Sequence, residues 1–153
     1  MQYIVDTSVM VSAMERRDAG AISALKACGR STIRSVIVVG ELASGVESAV
    51  RGKLGPRAIR SRRATSSAYT LISTPPEEWA GGDVAAHFGH LTAVCSTKKI
   101  KLGQNGRWIL AEALTHGDAA VLTIDLVMHE LGEMVSTSMS LEFDLTALVT
   151  TES

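Results

Sequence analysis

Three carboxylates stand in the sequence where they could act together. Asp6 directly follows the apolar run YIV (residues 3–5), and Asp125 closes the run AAVLTID (residues 119–125). Both runs predict short buried strands, so each strand ends in an acid. Glu41 lies in an otherwise apolar stretch, where a charge costs free energy unless a cation meets it. Mg²⁺ and Mn²⁺ prefer such oxygen ligands and neutralise clustered carboxylates, which indicates a metal site.

Hydroxyl side chains accompany the two aspartates. Thr7 and Ser8 follow Asp6, and Thr123 lies two residues before Asp125. A hydroxyl can orient a carboxylate or hold the backbone turn beside it, so these three residues are candidates for a supporting role. The alternative interpretation is structural, because strand-end aspartates often cap helices and helix surfaces often carry glutamate.

The predicted elements alternate between strands and helices. Strands are expected at residues 3–6, 31–35, 119–125 and 139–143. Helices are expected at residues 8–28 with a break near 18–20, at 36–50 after a Ser35 cap, at 55–73, after Pro75-Pro76, at 106–117 and at 126–134. The 36–50 segment opens with β-branched residues that also suit a strand, but a hydrophobic repeat every four residues (Val38, Leu42, Val46 and Val50) favours a helix. This alternation predicts an α/β fold with a mainly parallel sheet between helices.

Composition limits the class of protein. The chain has 153 residues, 46% of them hydrophobic and 20% charged, and we expect a single globular domain over residues 1–153. No apolar run is long enough to span a bilayer and no signal peptide is visible, so a cytoplasmic protein is expected. Cys28 and Cys95 lie far apart without a CxxC spacing, which predicts reduced, buried thiols rather than a zinc or redox site.

Four segments together resemble a known family. IVDTSVMVSAM, RSVIVVGELASGV, LGQNGRWILAEALTHG and VLTID are similar, in this order, to the signature segments of the PIN domain, in particular the VapC-type toxin ribonucleases of type II toxin–antitoxin systems. The resemblance runs from Met1 to about Phe143. It implies a three-layer α/β/α sandwich with a central, mainly parallel sheet of four or five strands. It further implies an endoribonuclease that cleaves RNA with Mg²⁺- or Mn²⁺-activated water, with Asp6, Glu41 and Asp125 as catalytic and metal-binding residues.

The third segment departs from the family pattern. Its apolar positions align so that Gly106 stands where the family has a metal-binding Asp. Asn105 is one residue away, a rotation of about 100° on a helix, and is a further candidate for a supporting role. Glu112 is expected to face elsewhere unless the helix is displaced. Three carboxylates favour one weakly held cation, which leaves three interpretations open. The chain is a slow nuclease, a one-metal nuclease, or a PIN module that has lost catalysis and binds RNA or a partner protein.

Basic residues suggest where RNA would bind. Residues 51–63 contain six of the fifteen Lys and Arg residues and no acid, and residues 98–101 add three. This run is either an RNA-contacting surface or a solvated helix face, since phosphate contacts need only basic charge within reach. The candidate RNA-binding residues are Arg60, Arg62, Arg63 and Arg107. The toxin resemblance also implies an antitoxin partner that covers the acidic cleft, and often a homodimer.

Other patterns are weaker. His87 and His90 lie three residues apart on a predicted helix, a spacing that zinc uses, but no cysteine or acid pair accompanies them. His129 follows Asp125 by one helical turn and could approach the acidic site. A phosphoryl-accepting receiver domain also ends strands in aspartates. The paired acids after the first strand and the strand-end lysine of that fold are not found in this sequence.

Overall fold

The computed structural model describes residues 2–76, 81–116, 119–138 and 147–149. These residues form five strands, β1 (Tyr3–Val5), β2 (Thr32–Ile33), β3 (Ser73–Thr74), β4 (Ala120–Thr123) and β5 (Ala147–Val149). They also form seven helices, α1 (Thr7–Met14), α2 (Ala19–Cys28), α3 (Val36–Arg51), α4 (Pro56–Ile72), α5 (Gly81–Lys98), α6 (Gln104–Thr115) and α7 (Leu126–Ser138).

The strands form one parallel sheet in the order β3-β2-β1-β4-β5. β1 lies at its centre, with Ile4 opposite Val121 and Val5 opposite Leu122 on β4, and all four residues are buried. Continuous apolar strands are typical of a parallel sheet that is covered on both faces. The three-layer α/β/α sandwich with a central parallel sheet that the sequence predicts is therefore confirmed.

Chain direction explains where the helices lie. From β1 to β3 the chain moves towards one edge of the sheet, and from β3 to β5 it returns across the sheet and beyond β1. Right-handed crossovers place the helices of these two halves on opposite faces. The reversal falls between β1 and β4. Open α/β folds bind ligands outside the carboxyl ends of the strands that flank such a reversal, and here Asp6 and Asp125 follow those two strands.

Helix α3 resolves the ambiguity in the 36–50 segment. The Ser35 hydroxyl caps it by accepting a hydrogen bond from the backbone N–H of Val38 at 3.2 Å. Val38 and Leu42 are buried as the repeat predicted, but Ala49 is buried in place of Val50. A spacing of four residues advances about 40° beyond a full turn each time, so the fourth member of the repeat rotates away from the core.

The remaining differences from expectation are local. β3 was not predicted, because a two-residue strand after a long helix gives no periodic signal. Residues 96–105, whose polar sequence predicts a loop, are divided in the structure. Residues 96–98 extend α5, residues 99–103 connect the two helices as expected, and residues 104–105 begin α6. The strand expected at residues 139–143 lies outside the described residues.

Within the described part of the chain, no helix is both long enough and apolar enough to cross a membrane. Cys28 and Cys95 are free and buried, as expected from their spacing.

Candidate active site

An acidic cavity opens where β1 and β4 end. It has a volume of about 520 Å³ and is lined by the three carboxylates singled out in the sequence together with Thr7 and Ser8. The other lining residues come from the segment that leads into α6, from α6 itself and from α7, namely Leu102, Gly103, Gln104, Asn105, Gly106, Ile109 and Met128. The cavity therefore joins residues from distant parts of the chain.

Asp6 is the most enclosed of the three acids, with only 6% of its surface exposed. The hydroxyls of Ser8 and Thr123 both donate to its Oδ2 atom, at 2.7 and 2.8 Å. Burial raises the pKa of Asp6 above its usual value, and the negative charge of Glu41 raises it further, while the hydroxyl hydrogen bonds oppose the shift. An ionised Asp6 at this position would need a nearby positive charge to stabilise it.

Asp125 has two roles in the geometry. Its Oδ1 atom accepts hydrogen bonds from the backbone N–H groups of Val127 and Met128, at 2.9 and 3.2 Å, which caps α7. Its own backbone N–H donates to the Thr123 hydroxyl at 3.0 Å. Thr123 thus links the two aspartates, because the same hydroxyl donates to Asp6. Capping and lining the cavity are compatible, so the structural interpretation of Asp125 does not exclude the chemical one.

Glu41 enters from a different layer of the fold. It lies on α3 and its Oε1 atom accepts a hydrogen bond from the Thr7 hydroxyl at 2.9 Å. This bond connects α3 to the first turn of α1. Its charge is close enough to that of Asp6 to raise the Asp6 pKa.

The charges in the cavity lack an internal counterion. None of the described residues that line it is basic. Among the same described residues, no set of three His, Cys, Asp or Glu side chains is already arranged as metal ligands. Asp6 and Glu41 repel each other across the cavity, and a hard divalent cation is the group whose charge and preference for oxygen fit this donor set.

Comparison with known proteins identifies the fold family. The family model described as "PIN domain" matches residues 3–134. The chain belongs to the PIN domain family. No match was found among curated proteins.

Solved structures of similar fold are toxin–antitoxin complexes. VapBC-1 from nontypeable Haemophilus influenzae matches with a TM-score of 0.68 at 18% identity, covering 97% of this chain and 98% of that chain. VapBC-5 from Mycobacterium tuberculosis gives a TM-score of 0.65 at 17% identity, with 97% and 98% covered. VapBC2 from Rickettsia felis, bound to a fragment of promoter DNA, gives 0.65 at 15% identity, with 96% and 97% covered. At these identities the likeness concerns the fold.

Gly106 lies in the wall of the cavity of this PIN domain, on the first turn of α6. A Cβ atom added there would lie 2.8 Å from Leu102 Cδ1 and 3.1 Å from Met128 Cε. Both side chains are buried and apolar. The space beside Gly106 is therefore filled by hydrocarbon, a finding that the sequence did not indicate. The neighbouring Asn105 is exposed and also lines the cavity.

Arg107 and His129 lie outside this cavity. The Arg107 guanidinium is 5.3 Å from the centroid of the Phe88 ring, which itself stacks on Trp108. Arg107 therefore packs towards α5. His129 Nε2 lies 3.1 Å from Glu133 Oε1 on the next turn of α7. His87 and His90 form no three-residue metal site with other described residues.

The basic run falls mostly on α4. Arg60 and Arg63 are exposed, whereas Arg62 is half-buried and donates from Nη1 to the backbone carbonyl of Gly45 on α3 at 2.8 Å. None of the three lines the acidic cavity. Arg62 thus has a structural contact that its neighbours do not share.

Glu112 is a buried carboxylate whose role the sequence did not predict. It is 8% exposed, and its Oε1 atom accepts a hydrogen bond from the Ser35 hydroxyl at 3.1 Å. The backbone N–H of Ile37 also bonds to it, so Glu112 completes the cap of α3. Burial raises its pKa from 4.5 to about 7, against the opposing effect of these two hydrogen bonds.

The surroundings of Glu112 extend to α4. The backbone N–H of Ser35 donates to the hydroxyl of the fully buried Tyr69 at 2.8 Å. Burial raises the Tyr69 pKa, and the charge of Glu112 acts in the same direction. A sequence signal did exist, since Glu112 is the single acid within the apolar run of residues 108–114. An acid in such a run needs a partner.

Proposed function

We propose that this PIN domain, over residues 1–153, is a metal-dependent endoribonuclease of the VapC toxin type. The observation that carries the proposal is the acidic cavity, in which three carboxylates from α3 and from the ends of β1 and β4 meet without a basic lining residue in the described chain. PIN-domain nucleases generally need divalent metals, and the donors here are those that Mg²⁺ or Mn²⁺ would take.

In this proposal Asp6, Glu41 and Asp125 hold the cation and orient the scissile phosphate. A bound Mg²⁺ or Mn²⁺ would lower the pKa of a water molecule and stabilise negative charge on the phosphodiester. Ser8 and Thr123 fix the Asp6 carboxylate, and Thr7 fixes Glu41. Hydroxyl groups that hold two of the carboxylates in place would reduce the cost of forming the reactive geometry.

Gly106 makes us expect weak activity. With three carboxylates the site favours one cation rather than two, and losing even an outer ligand typically lowers metal affinity or activity by about 10–100-fold. Leu102 and Met128 lie against Gly106, so a side chain added at this position would have to displace them. Asn105 offers an amide oxygen at the cavity wall as a weaker substitute.

The glycine at position 106 also favours a second candidate function. A PIN module that has lost catalysis and binds RNA or a partner protein would retain the fold and tolerate the glycine. The apolar contacts around Gly106 support this second function, because hydrocarbon side chains beside a metal site neither bind the cation nor take part in the reaction.

Partners follow from the toxin assignment. We propose RNA as substrate, a cognate antitoxin, a homodimer and a cytoplasmic location, without a membrane partner. The fold likeness to VapBC complexes supports the antitoxin. Arg60, Arg62, Arg63 and Arg107 remain the proposed RNA-binding residues. The Arg62 contact to Gly45 and the Arg107 contact to Phe88 make Arg60 and Arg63 the better candidates.

The decisive experiment compares the parent chain with Asp6→Asn. Titration calorimetry with Mn²⁺ and cleavage of single-stranded RNA in Mn²⁺ are measured for both, with exposed Glu47→Gln as the matched control. We expect Asp6→Asn to weaken Mn²⁺ binding and cleavage by about 100-fold, the upper end of the range for an outer ligand. We also expect the metal-free variant to unfold at a higher temperature, since a buried charge is removed.

Two outcomes would contradict the proposal that the chain is a nuclease. A parent chain that binds Mn²⁺ and RNA but cleaves none supports the non-catalytic module. Equal Mn²⁺ affinity in parent and Asp6→Asn means that the acidic cavity does not hold the cation.

A further inference from the structure

We propose that a groove beside the acidic cavity binds one unstacked nucleobase of single-stranded RNA, next to the phosphate that is cleaved. The α3 groove is defined by Val36, Ile37, Gly40, Glu41 and Ser44 of α3 together with Asn105 of α6. This inference rests on the proposed nuclease function and names the form of its substrate.

The α3 groove is continuous with the acidic cavity. Glu41 and Asn105 line both, so a ligand with one group at the carboxylates can place a neighbouring group in the adjoining groove. Its volume is about 380 Å³, within the range of small-ligand pockets. This is room for a flat heterocycle beside the site of reaction.

The groove suits an uncharged ring better than a phosphate. Val36 is 53% exposed on its wall, an apolar surface against which the face of a base can pack. Glu41 repels an anion from the same wall. Of the first backbone N–H groups of α3, which would otherwise attract a phosphate, those of Ile37 and Val38 already face Glu112 and Ser35. The phosphate therefore belongs at the cation and the base in the groove.

Two residues give the groove its shape and its polar recognition. Gly40 is exposed, and a Cβ atom added there would meet nothing within 4 Å, so the absence of a side chain leaves the groove open. The Asn105 amide carries both donors and an acceptor and can bond to the edge of a base. A base can reach this position only when it is unstacked, which selects single-stranded RNA.

The chain offers a matched pair of variants for the test. Gly40 and Gly45 lie on the same helix, and an added Cβ meets no atom within 4 Å at either position, but only Gly40 lines the groove. Gly40→Leu fills the groove and Gly45→Leu does not. Both remove a helix-interior glycine, so both should unfold at a higher temperature than the parent. Both should retain the parental Mn²⁺ affinity in titration calorimetry.

RNA binding is measured with short fluorescein-labelled single-stranded RNAs in Ca²⁺, a hard cation that takes the same oxygen ligands. Gly40→Leu removes the apolar contact between the base and the groove, so the dissociation constant should rise by at least about 5-fold, which corresponds to about 1 kcal/mol. Gly45→Leu should match the parent.

A second series of RNAs carries a single abasic nucleotide, moved one position at a time along the strand. The parent should lose affinity at one position, and Gly40→Leu should show no loss there.

The outcomes separate the groove from the nuclease itself. Equal affinity in parent and Gly40→Leu, or an abasic penalty that persists in Gly40→Leu, overturns the nucleobase site while leaving a parent that cleaves RNA intact. A Gly40→Leu chain that binds RNA normally but loses a co-expressed antitoxin assigns the groove to a protein and also overturns the proposal. A parent that neither binds nor cleaves RNA contradicts the proposed function first.

Discussion

Gly106 and Glu112 lie on the same helix, α6, in opposite surroundings. Gly106 faces the acidic cavity, where the resemblance to the family predicts a carboxylate, and its neighbours are the apolar side chains of Leu102 and Met128. Glu112 carries a carboxylate into the interior, where Ser35 and Ile37 donate hydrogen bonds to it. The helix therefore has an acid where it caps another helix and none where a cation would bind. An acidic residue near a site in sequence is a ligand only if the helix phase points it there.

Of the substitutions that test this comparison, the one at Glu112 is expected to have the largest effect. Because its folded pKa of about 7 lies above the usual 4.5, the folded state binds more protons than the unfolded state between these values. Raising the pH through this window therefore destabilises the parent. In Glu112→Gln this contribution is absent, so the stability of the parent relative to the variant should fall by about 2–3 kcal/mol from pH 4.5 to pH 8.

Urea unfolding of both proteins at several pH values measures this difference. Exposed Glu47→Gln, whose ion pair with Arg51 is solvated, serves as control and should follow the parent at every pH. Parallel stability curves for parent and Glu112→Gln would show that Glu112 does not titrate in this window. Gly106 and Glu112 would then differ in their packing and hydrogen bonds, but not through a shifted carboxyl pKa.

A smaller effect is expected at Gly106, because the apolar neighbours must yield first. Gly106→Asp alone should change Mn²⁺ affinity little, since its Cβ atom would lie within 3.1 Å of Leu102 and Met128 atoms. Leu102→Ala combined with Gly106→Asp provides room for the carboxylate. We expect the double variant to bind Mn²⁺ at least about 10-fold more tightly than Leu102→Ala, with a larger Mn²⁺-induced rise in melting temperature.

Leu102→Ala alone is the necessary control for the double variant, because removing a buried leucine costs about 2 kcal/mol or more. Equal Mn²⁺ affinity in Leu102→Ala and the double variant would place residue 106 out of reach of the cation. Full tightening by Gly106→Asp alone would mean that Leu102 and Met128 move aside freely.

The smallest effects are expected on α4, where the question is whether the arginines contact RNA or other residues of the same chain. Replacing Arg60 and Arg63 with Gln should weaken RNA binding and reduce the salt dependence of log K by about 0.7 for each phosphate that is no longer neutralised. Stability should change by less than about 0.5 kcal/mol, because both residues are exposed. Arg62→Gln should instead lower stability by about 1 kcal/mol, because its hydrogen bond to Gly45 is removed.

Filter binding at several salt concentrations and urea unfolding measure these two quantities separately. An unchanged salt slope in the Arg60 and Arg63 variant would leave that face as solvated surface. If Arg62→Gln is as stable as the parent, its bond to α3 contributes nothing measurable.

Local chemistry in the sequence was enough to predict most elements of the fold. Asp6 and Asp125 follow short apolar strands, Ser35 caps α3, Pro56 opens α4, and these signals act over a few residues. β1 and β4 are parallel neighbours and end at the same edge of the sheet, which explains why the two aspartates that follow them both line the cavity there. The sequence also predicted that hydroxyl groups would support the acids. It did not predict that Thr123 would donate to Asp6, which is distant from it in sequence.

What the sequence by itself determined is therefore the α/β class, the PIN resemblance, the acids at the strand ends and a glycine where the resemblance predicts an acid. Only the tertiary structure decided what surrounds them. Leu102 and Met128 beside Gly106, Ser35 beside Glu112 and Gly45 beside Arg62 are contacts that depend on how the elements are arranged in space. Periodicity specifies which face of a helix is buried but not which side chains meet across a layer, because that depends on how the elements pack.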